Sequence, residues 1–164
     1  MGMTSRVVAR VCAALLIAGA SLVGATGTAS AAEVFQTFRN VYSGLCLDDS
    51  RDFSVRTFHC NGTNYQRWGV TVWNDGTRQL RNVATNRCLG ARKYGAGGVL
   101  TSGACGPSSV MSWYVRRAPN GIWFESQEVH ADCLVDDGGD YAGGNYVGLT
   151  SCIGGHYPTD IAWG

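Results

Sequence analysis

A Cys-Leu pair, a second cysteine and a tryptophan recur three times in the same order along this chain, and that recurrence limits the folds open to it. Cys46-Leu47, Cys88-Leu89 and Cys133-Leu134 open the three units, and Cys60, Cys105 and Cys152 follow 14, 17 and 19 residues after the first cysteines. Trp68 and Trp113 each stand eight residues beyond the second cysteine and Trp163 eleven, while 20 residues separate both Trp68 from Cys88 and Trp113 from Cys133. The flanks repeat too: "RNVYSGLCL" at 39–47 is answered by "RNVATNRCL" at 81–89 and more loosely by "SQEVHADCL" at 126–134. A period of 42 to 50 residues marks an array of like modules that bury their apolar faces against one another.

Within a unit the signals are for strands. "WGVTVW" and "RQLRN" flank "NDGT", and "WYVRR" and "IWFES" flank "APNG", so β-rich runs surround Asp-Gly or Asn-Gly turns. Helical periodicity is absent, and 23 glycines with loop-forming clusters every eight to twelve residues suit an all-β chain of short strands. A propeller needs four or more blades, and an open solenoid of three units leaves sheet edges bare. Three β units packed about a common axis, with the repeated Trp and Leu inside, satisfy both constraints. Each unit then closes its own loop by a disulfide, Cys46–Cys60, Cys88–Cys105 and Cys133–Cys152, each worth about 3 kcal/mol on the loop-entropy model.

The first residues stand outside this pattern. Arg6 and Arg10 precede an uncharged run at 11–32 that ends in "ASAA", which predicts a secretory signal peptide over 1–32 and an extracellular protein. The run thins into Gly, Ser and Thr after Val23, unlike a membrane anchor, and Cys12 lies too early for lipid attachment. Residues 33–164 make a single domain, with lobes at about 33–76, 77–121 and 122–164. Six of the seven cysteines remain after removal of Cys12, an even number that reads as a disulfide framework in an exported protein.

The Cys-Leu-Asp at 46–48, the Gln-x-Trp at 66–68 and the threefold repeat resemble the ricin-B-type β-trefoil lectins, including the carbohydrate-binding modules of that type on secreted bacterial hydrolases. The resemblance covers all of 33–164. It implies a twelve-stranded trefoil with up to three shallow sugar sites, one per lobe, and a core role for the Trp of Gln-x-Trp. In that family the strand carrying the third Trp runs on for several residues. Here Gly164 follows Trp163 directly, so the strand "VFQTFRN" at 34–40 is expected to lack part of its closing partner.

A sugar site needs a carboxylate for vicinal hydroxyls, an aromatic face for the C–H side of the ring, and amides to complete the polar contacts. The family places these at the Asp of Cys-Leu-Asp, two residues before the second cysteine, and at an Asn and the Gln of Gln-x-Trp. Lobe one matches with Asp48, Phe58 and Gln66; Tyr65 stands where Asn is usual, with Asn64 beside it and Asn61 after Cys60, and Arg56 stands where Gln is frequent. Lobe two has Gly90, Gly103 and Met111 at the three contact positions, and lobe three has Val135, Thr150 and Ile161, with Asp136 and Asp137 one and two positions late. At most one family-type site is expected, in lobe one. The same residues also suit structural posts: Asp48 in a turn, Phe58 in the core, and Gln66 as a buried amide holding a loop near the indole.

Charge adds a further restriction. Thirteen Lys and Arg less Arg6 and Arg10 leave eleven against twelve Asp and Glu, too balanced to recruit nucleic acid or membrane. Seven basic residues between Trp68 and Arg117 stand with Asp75 as the one acid, whereas seven acids and no Lys or Arg follow from Glu125; the asymmetry suits an exposed mixed surface first and the orientation of a protein partner second. "DDGGD" at 136–140, with Asn145, lacks the ordered spacing and closing Glu of a calcium loop. His59, His130 and His156 show neither metal spacing nor triad partners. No cofactor is implied, and no motif places Glu125, Glu128 or the Asp residues for hydrolysis. The expected function is a secreted, non-catalytic lectin-like protein taking galactose- or xylose-like glycans; the alternative is a trefoil that binds a protein, such as a hydrolase inhibitor.

Overall fold

The computed structural model describes residues 32–152 and 159–164; the expected signal peptide falls almost wholly outside them. The described chain is all-β, with short 3₁₀ turns and no α-helix. Strands β1 (Val34–Gln36), β4 (Trp68–Val72), β5 (Arg78–Asn82), β8 (Trp113–Ala118) and β9 (Gly121–Ser126) pair in that order, each antiparallel to the next. This is a barrel wall. Three hairpins cap it: β2 (Cys46–Ser50) with β3 (Ser54–Phe58), β6 (Cys88–Tyr94) with β7 (Gly97–Gly103), and β10 (Asp132–Tyr141) with β11 (Gly144–Ser151). One cap hairpin per lobe gives the threefold trefoil layout that the repeat predicts.

The threefold relation reaches individual atoms. Trp68, Trp113 and Trp163 are wholly buried, and each indole N–H donates to the carbonyl of its own lobe's Cys-Leu leucine: Leu47 at 2.9 Å, Leu89 at 2.9 Å and Leu134 at 3.3 Å. A buried indole needs such an acceptor, which explains why Trp and Cys-Leu recur together. Phe38, Leu80 and Phe124 hold equivalent places two residues before Asn40, Asn82 and Ser126, and these nine side chains form most of the main core. Each large side chain so buried contributes about 2–3 kcal/mol.

The turns repeat with the core. Asn40 and Asn82, both wholly buried, each accept two backbone N–H groups from the turn that follows, Tyr42 and Ser43 in one case, Ala84 and Thr85 in the other. Their amides donate to Asp160 O and Tyr65 O, each in the 3₁₀ turn that precedes a core Trp. "RNV" at 39–41 and 81–83 therefore marks a buried Asx turn that pins the entry to each cap. The three expected disulfides are formed, with Cα–Cα distances of 5.1, 5.1 and 5.3 Å.

The expected twelve strands become eleven among the described residues. In the twelfth place Trp163 makes single bridges to Asn40 and Ile122. Trp163 and Ile122 exchange two backbone hydrogen bonds of 2.8 Å, and Arg39 and Gly164 exchange two of 2.8 and 2.9 Å. The wall is thus closed at the level of Trp163. Below that level β1 pairs with β4 alone, and its other edge borders a cleft.

Candidate functional site in the first lobe

Each lobe presents the same three positions between its cap hairpin and the 3₁₀ turn before its Trp: Asn64–Gln66, Ser109–Met111 and Thr159–Ile161. The turn drives its last side chain inward, two residues ahead of the buried indole. What that side chain meets differs in every lobe.

In lobe two Met111 fills the space. A Cβ built on Gly90 would lie 2.6 Å from Met111 Sδ and 2.4 Å from Val110 O, and one on Gly103 would lie 3.4 Å from Met111 Cε. An aspartate at Gly90 has no room. In lobe three Ile161 and Val135 are buried with Cys133 in an apolar cluster that Trp123 and Cys152 flank. Both lobes have exchanged polar contact groups for packing, as the sequence predicts.

Lobe one keeps its polar groups, and the strands bring them together. On the β2–β3 ladder Asp48 lies opposite Arg56, and Cys46 opposite Phe58. Asp48 is 3 % exposed and pairs with Arg56, Nε to Oδ1, at 3.4 Å. The Arg56 guanidinium sits 4.2 Å from the Phe58 ring centroid and 4.7 Å from that of Phe53, and donates to Ala142 O at 2.6 Å. Gln66 is wholly buried: its Nε2 donates to His59 O at 2.9 Å, and its Oε1 accepts the Asn61 N–H at 2.8 Å. Gln66 thus serves the structural post named above, holding the Cys60 loop.

The remaining candidates divide. Asn61 turns its side-chain oxygen into its own loop, accepting from the Thr63 N–H and hydroxyl, so that loop is pre-shaped. Asn64 is exposed at the start of the 3₁₀ turn, and Tyr65 is 39 % exposed on its outer side. Asp48, Arg56, Phe58 and Gln66 form the centre; Asn61, Asn64 and Tyr65 rim it.

The third-lobe hairpin is the part that lobe-by-lobe reading missed. β11 pairs with β3 through Asn145 with Thr57 and Tyr146 with Arg56, which carries Ala142 to the guanidinium. A Cβ on Gly144 would fall 1.9 Å from Thr57 O, and one on Gly143 3.4 Å from Phe58 Cε2. The "GG" at 143–144 was the available signal, since adjacent glycines in a strand pattern mark close backbone approach.

Burial pushes the Asp48 carboxyl above its ordinary value of 3.8; the Arg56 charge and hydrogen bonds from Arg56 and Gln66 pull it back, and neighbouring Asp49 adds to the upward push. Below 3.8 both folded and unfolded chains hold this proton. As pH rises from there the unfolded chain loses it first, so Asp48's contribution to stability falls until the folded carboxyl has also ionised. An ionised carboxylate is the stronger acceptor of hydroxyl hydrogen bonds, so the affinity of any ligand whose hydroxyls Asp48 accepts should rise with pH through the same window. Titrated melting and binding should therefore move in opposite directions there, and Asp48→Asn should flatten both.

The fold and these contacts can be set beside known proteins. The model of the ricin-type beta-trefoil lectin domain matches residues 34–152. Among solved structures, the Rhizoctonia solani agglutinin aligns at TM-score 0.65 and 14% identity, covering 80% of this chain and 92% of that one. The Macrolepiota procera ricin B-like lectin, solved with lactose, aligns at TM-score 0.64 and 20% identity, covering 79% and 92%. An exo-beta-1,3-galactanase from Clostridium thermocellum aligns at TM-score 0.66 and 19% identity over 81% of this chain but 29% of its own. At such identities the likeness shows the fold alone. Among curated proteins none matches this chain. The family match runs from the first repeat to Cys152 of the third, and its span holds all three Cys-Leu pairs together with Gln66, Trp68 and Trp113, whose buried contacts are described above: the chain belongs to the ricin-type beta-trefoil lectin domain family.

Proposed function

We propose that this is a secreted, non-catalytic glycan-binding protein with one sugar site, in lobe one, for galactose- or xylose-like residues. The observation that carries the reading is the retention of Asp48, Phe58 and Gln66 around one point, while Met111 and Ile161 plug the equivalent points. Family membership supports carbohydrate binding, and the lactose complex of the Macrolepiota procera lectin is a precedent on the same fold. Three disulfides suit an oxidising, extracellular compartment.

Arg56 sets the terms of binding. Its guanidinium covers the Phe58 ring and pairs with the Asp48 carboxylate, the two groups that a sugar would use. A ligand must swing Arg56 aside or accept its N–H donors in place of the ring face. Displacing a cation–π contact costs about 1 kcal/mol, or roughly fivefold in affinity. The test is a glycan array with three proteins. Wild type should retain terminal galactose or xylose glycans, Asp48→Ala should lose them at least tenfold without unfolding, and Arg56→Gln should bind about fivefold tighter. Retention that ignores soluble sugar and survives Asp48→Ala would sink the glycan reading; a protein recovered by pull-down would then favour the protein-binding alternative.

A further inference from the structure

The outward face of lobe one continues beyond its own hairpin. Among the described residues β11 and β3 are the only strands of two different cap hairpins joined in a ladder, so β2, β3, β11 and β10 form one four-stranded sheet across the junction of lobes one and three. Residues directly opposite one another on neighbouring strands share a face. Asp48 lies opposite Arg56, and Arg56 opposite Tyr146. The row that begins at the candidate sugar carboxylate therefore ends at an aromatic ring of another lobe. Gly144, two residues before Tyr146 and on the same face, keeps the ground between Phe58 and Tyr141 bare: it lies opposite Tyr141, and a Cβ on it would come within 3.3 Å of Phe58 Cδ2.

Tyr146 has the form of a platform. Its ring stacks on that of Tyr141, with centroids 4.6 Å and planes 26° apart, yet Tyr146 is 50 % exposed. With one face against Tyr141, that exposure belongs to the other face and the hydroxyl edge. The ring is also held from the side, since a Cβ on Gly139 would lie 3.2 Å from Tyr146 Cδ2. Two stacked rings have fewer orientations than one, so the open face is offered in a fixed pose.

We infer that Tyr146, backed by Tyr141, is a second aromatic subsite that holds the next unit of a glycan whose terminal unit lies at Asp48 and Phe58, so that the site takes a disaccharide or a longer chain. This rests on the glycan reading of lobe one. Because β2 and β11 flank β3, the backbones at Asp48 and Tyr146 stand about 10 Å apart, beyond the reach of one sugar ring and within that of two. The C–H face of the second ring covers the open face of Tyr146, and the phenol hydroxyl is at hand as donor and acceptor for its hydroxyls. Arg56 stands midway in the row, which puts its N–H donors near the linkage between the units. The sequence of lobe one alone carries no trace of this subsite, because both tyrosines belong to lobe three.

The test is isothermal titration calorimetry with two pairs of probes, galactose with lactose and xylose with xylobiose. In at least one pair the disaccharide should bind wild type roughly tenfold tighter than its monosaccharide. Tyr146→Ala should bring that ratio close to one, and Tyr146→Phe, which keeps the ring face, should retain most of it. Asp48→Ala should weaken both members of the pair together. If the tyrosine pair serves only its own hairpin, Tyr146→Ala lowers the melting temperature and leaves the ratio where it was. That result, or equal affinity of wild type for monosaccharide and disaccharide in both pairs, overturns the subsite and leaves the reading of Asp48 and Phe58 standing. Binding of none of the four sugars overturns that reading and the subsite with it.

Discussion

Asp136→Ala should lower the stability of the protein by about 4 kcal/mol, roughly 15 °C in melting temperature for a domain of this size. Asp136 is 4 % exposed and its carboxylate is fully engaged. Oδ2 accepts from Ser43 Oγ at 2.5 Å and Thr57 Oγ1 at 3.1 Å, both in lobe one; Oδ1 accepts from Asn145 Nδ2 at 2.9 Å and the Gly138 N–H at 3.2 Å. The substitution removes four hydrogen bonds to a charged group and strands buried or part-buried donors from two lobes. Asp137, its exposed neighbour, is the control, and Asp137→Ala should stay within about 0.5 kcal/mol. Added calcium should leave wild-type melting unchanged, because Asp136 already spends its oxygens on the protein. Differential scanning calorimetry of the three proteins decides the matter, and an Asp136→Ala melt close to wild type would remove the carboxylate from the lobe junction.

Asp136 also shows how far the repeat could be read. Counted from Cys-Leu, it sits one position beyond the sugar carboxylate, as a misplaced Asp48. Its true counterpart is Asp49, also three residues after its lobe's first cysteine. Asp49 is wholly buried, paired with Arg87, Nη2 to Oδ1, at 2.5 Å, and accepts from the Thr85 hydroxyl of the following lobe. The two carboxylates clasp lobe one to lobe two and lobe three to lobe one. Lobe two has buried Ala91 at this position. A single sequence shows Asp, Ala and Asp in register but not whether they face a ligand or a neighbour.

The fold was legible because its causes are periodic. The Trp–Leu hydrogen bond, the cysteine loop and the barrel hairpins each need fixed residues at fixed spacing, so three copies identify one another. The apolar filling of the equivalent positions in lobes two and three was legible for the same reason: Gly90, Met111, Val135 and Ile161 carry no carboxylate or amide side chain wherever they point. The closure of the lobe-one site was not. It depends on Arg56 turning back along the β2–β3 ladder and on a hairpin reaching over from the third lobe, and contacts between β11 and β3 join residues about 90 positions apart. The basic stretch was read in bulk as a polar surface. In the structure Arg81, Arg87 and Arg116 hold carboxylates, Arg78 and Arg117 line the barrel cleft, and Arg92 and Lys93 are exposed.

The hairpin that closes the site supplies the second large expected effect. Gly144→Ala should destabilise the fold by about 3 kcal/mol, because the new methyl would lie 1.9 Å from Thr57 O, a backbone atom that cannot rotate away. β11 must draw back from β3 by about 1.5 Å to restore an ordinary contact. That movement loosens the pairing of Asn145 with Thr57, which sits beside the Asp136 clasp, and withdraws Ala142 O from the Arg56 guanidinium. Arg56 then loses its backbone acceptor Ala142 O and is freer to leave Phe58. Gly144→Ala should therefore share the binding consequence of Arg56→Gln, tighter glycan retention measured well below the lowered melting temperature. Because both changes act on one group, the double variant should gain less than the sum of the two single gains. Additive gains would mean that the third-lobe hairpin and the Arg56 cover act separately, and an unchanged melting temperature in Gly144→Ala would deny the close approach of β11 to β3 on which the coupling depends.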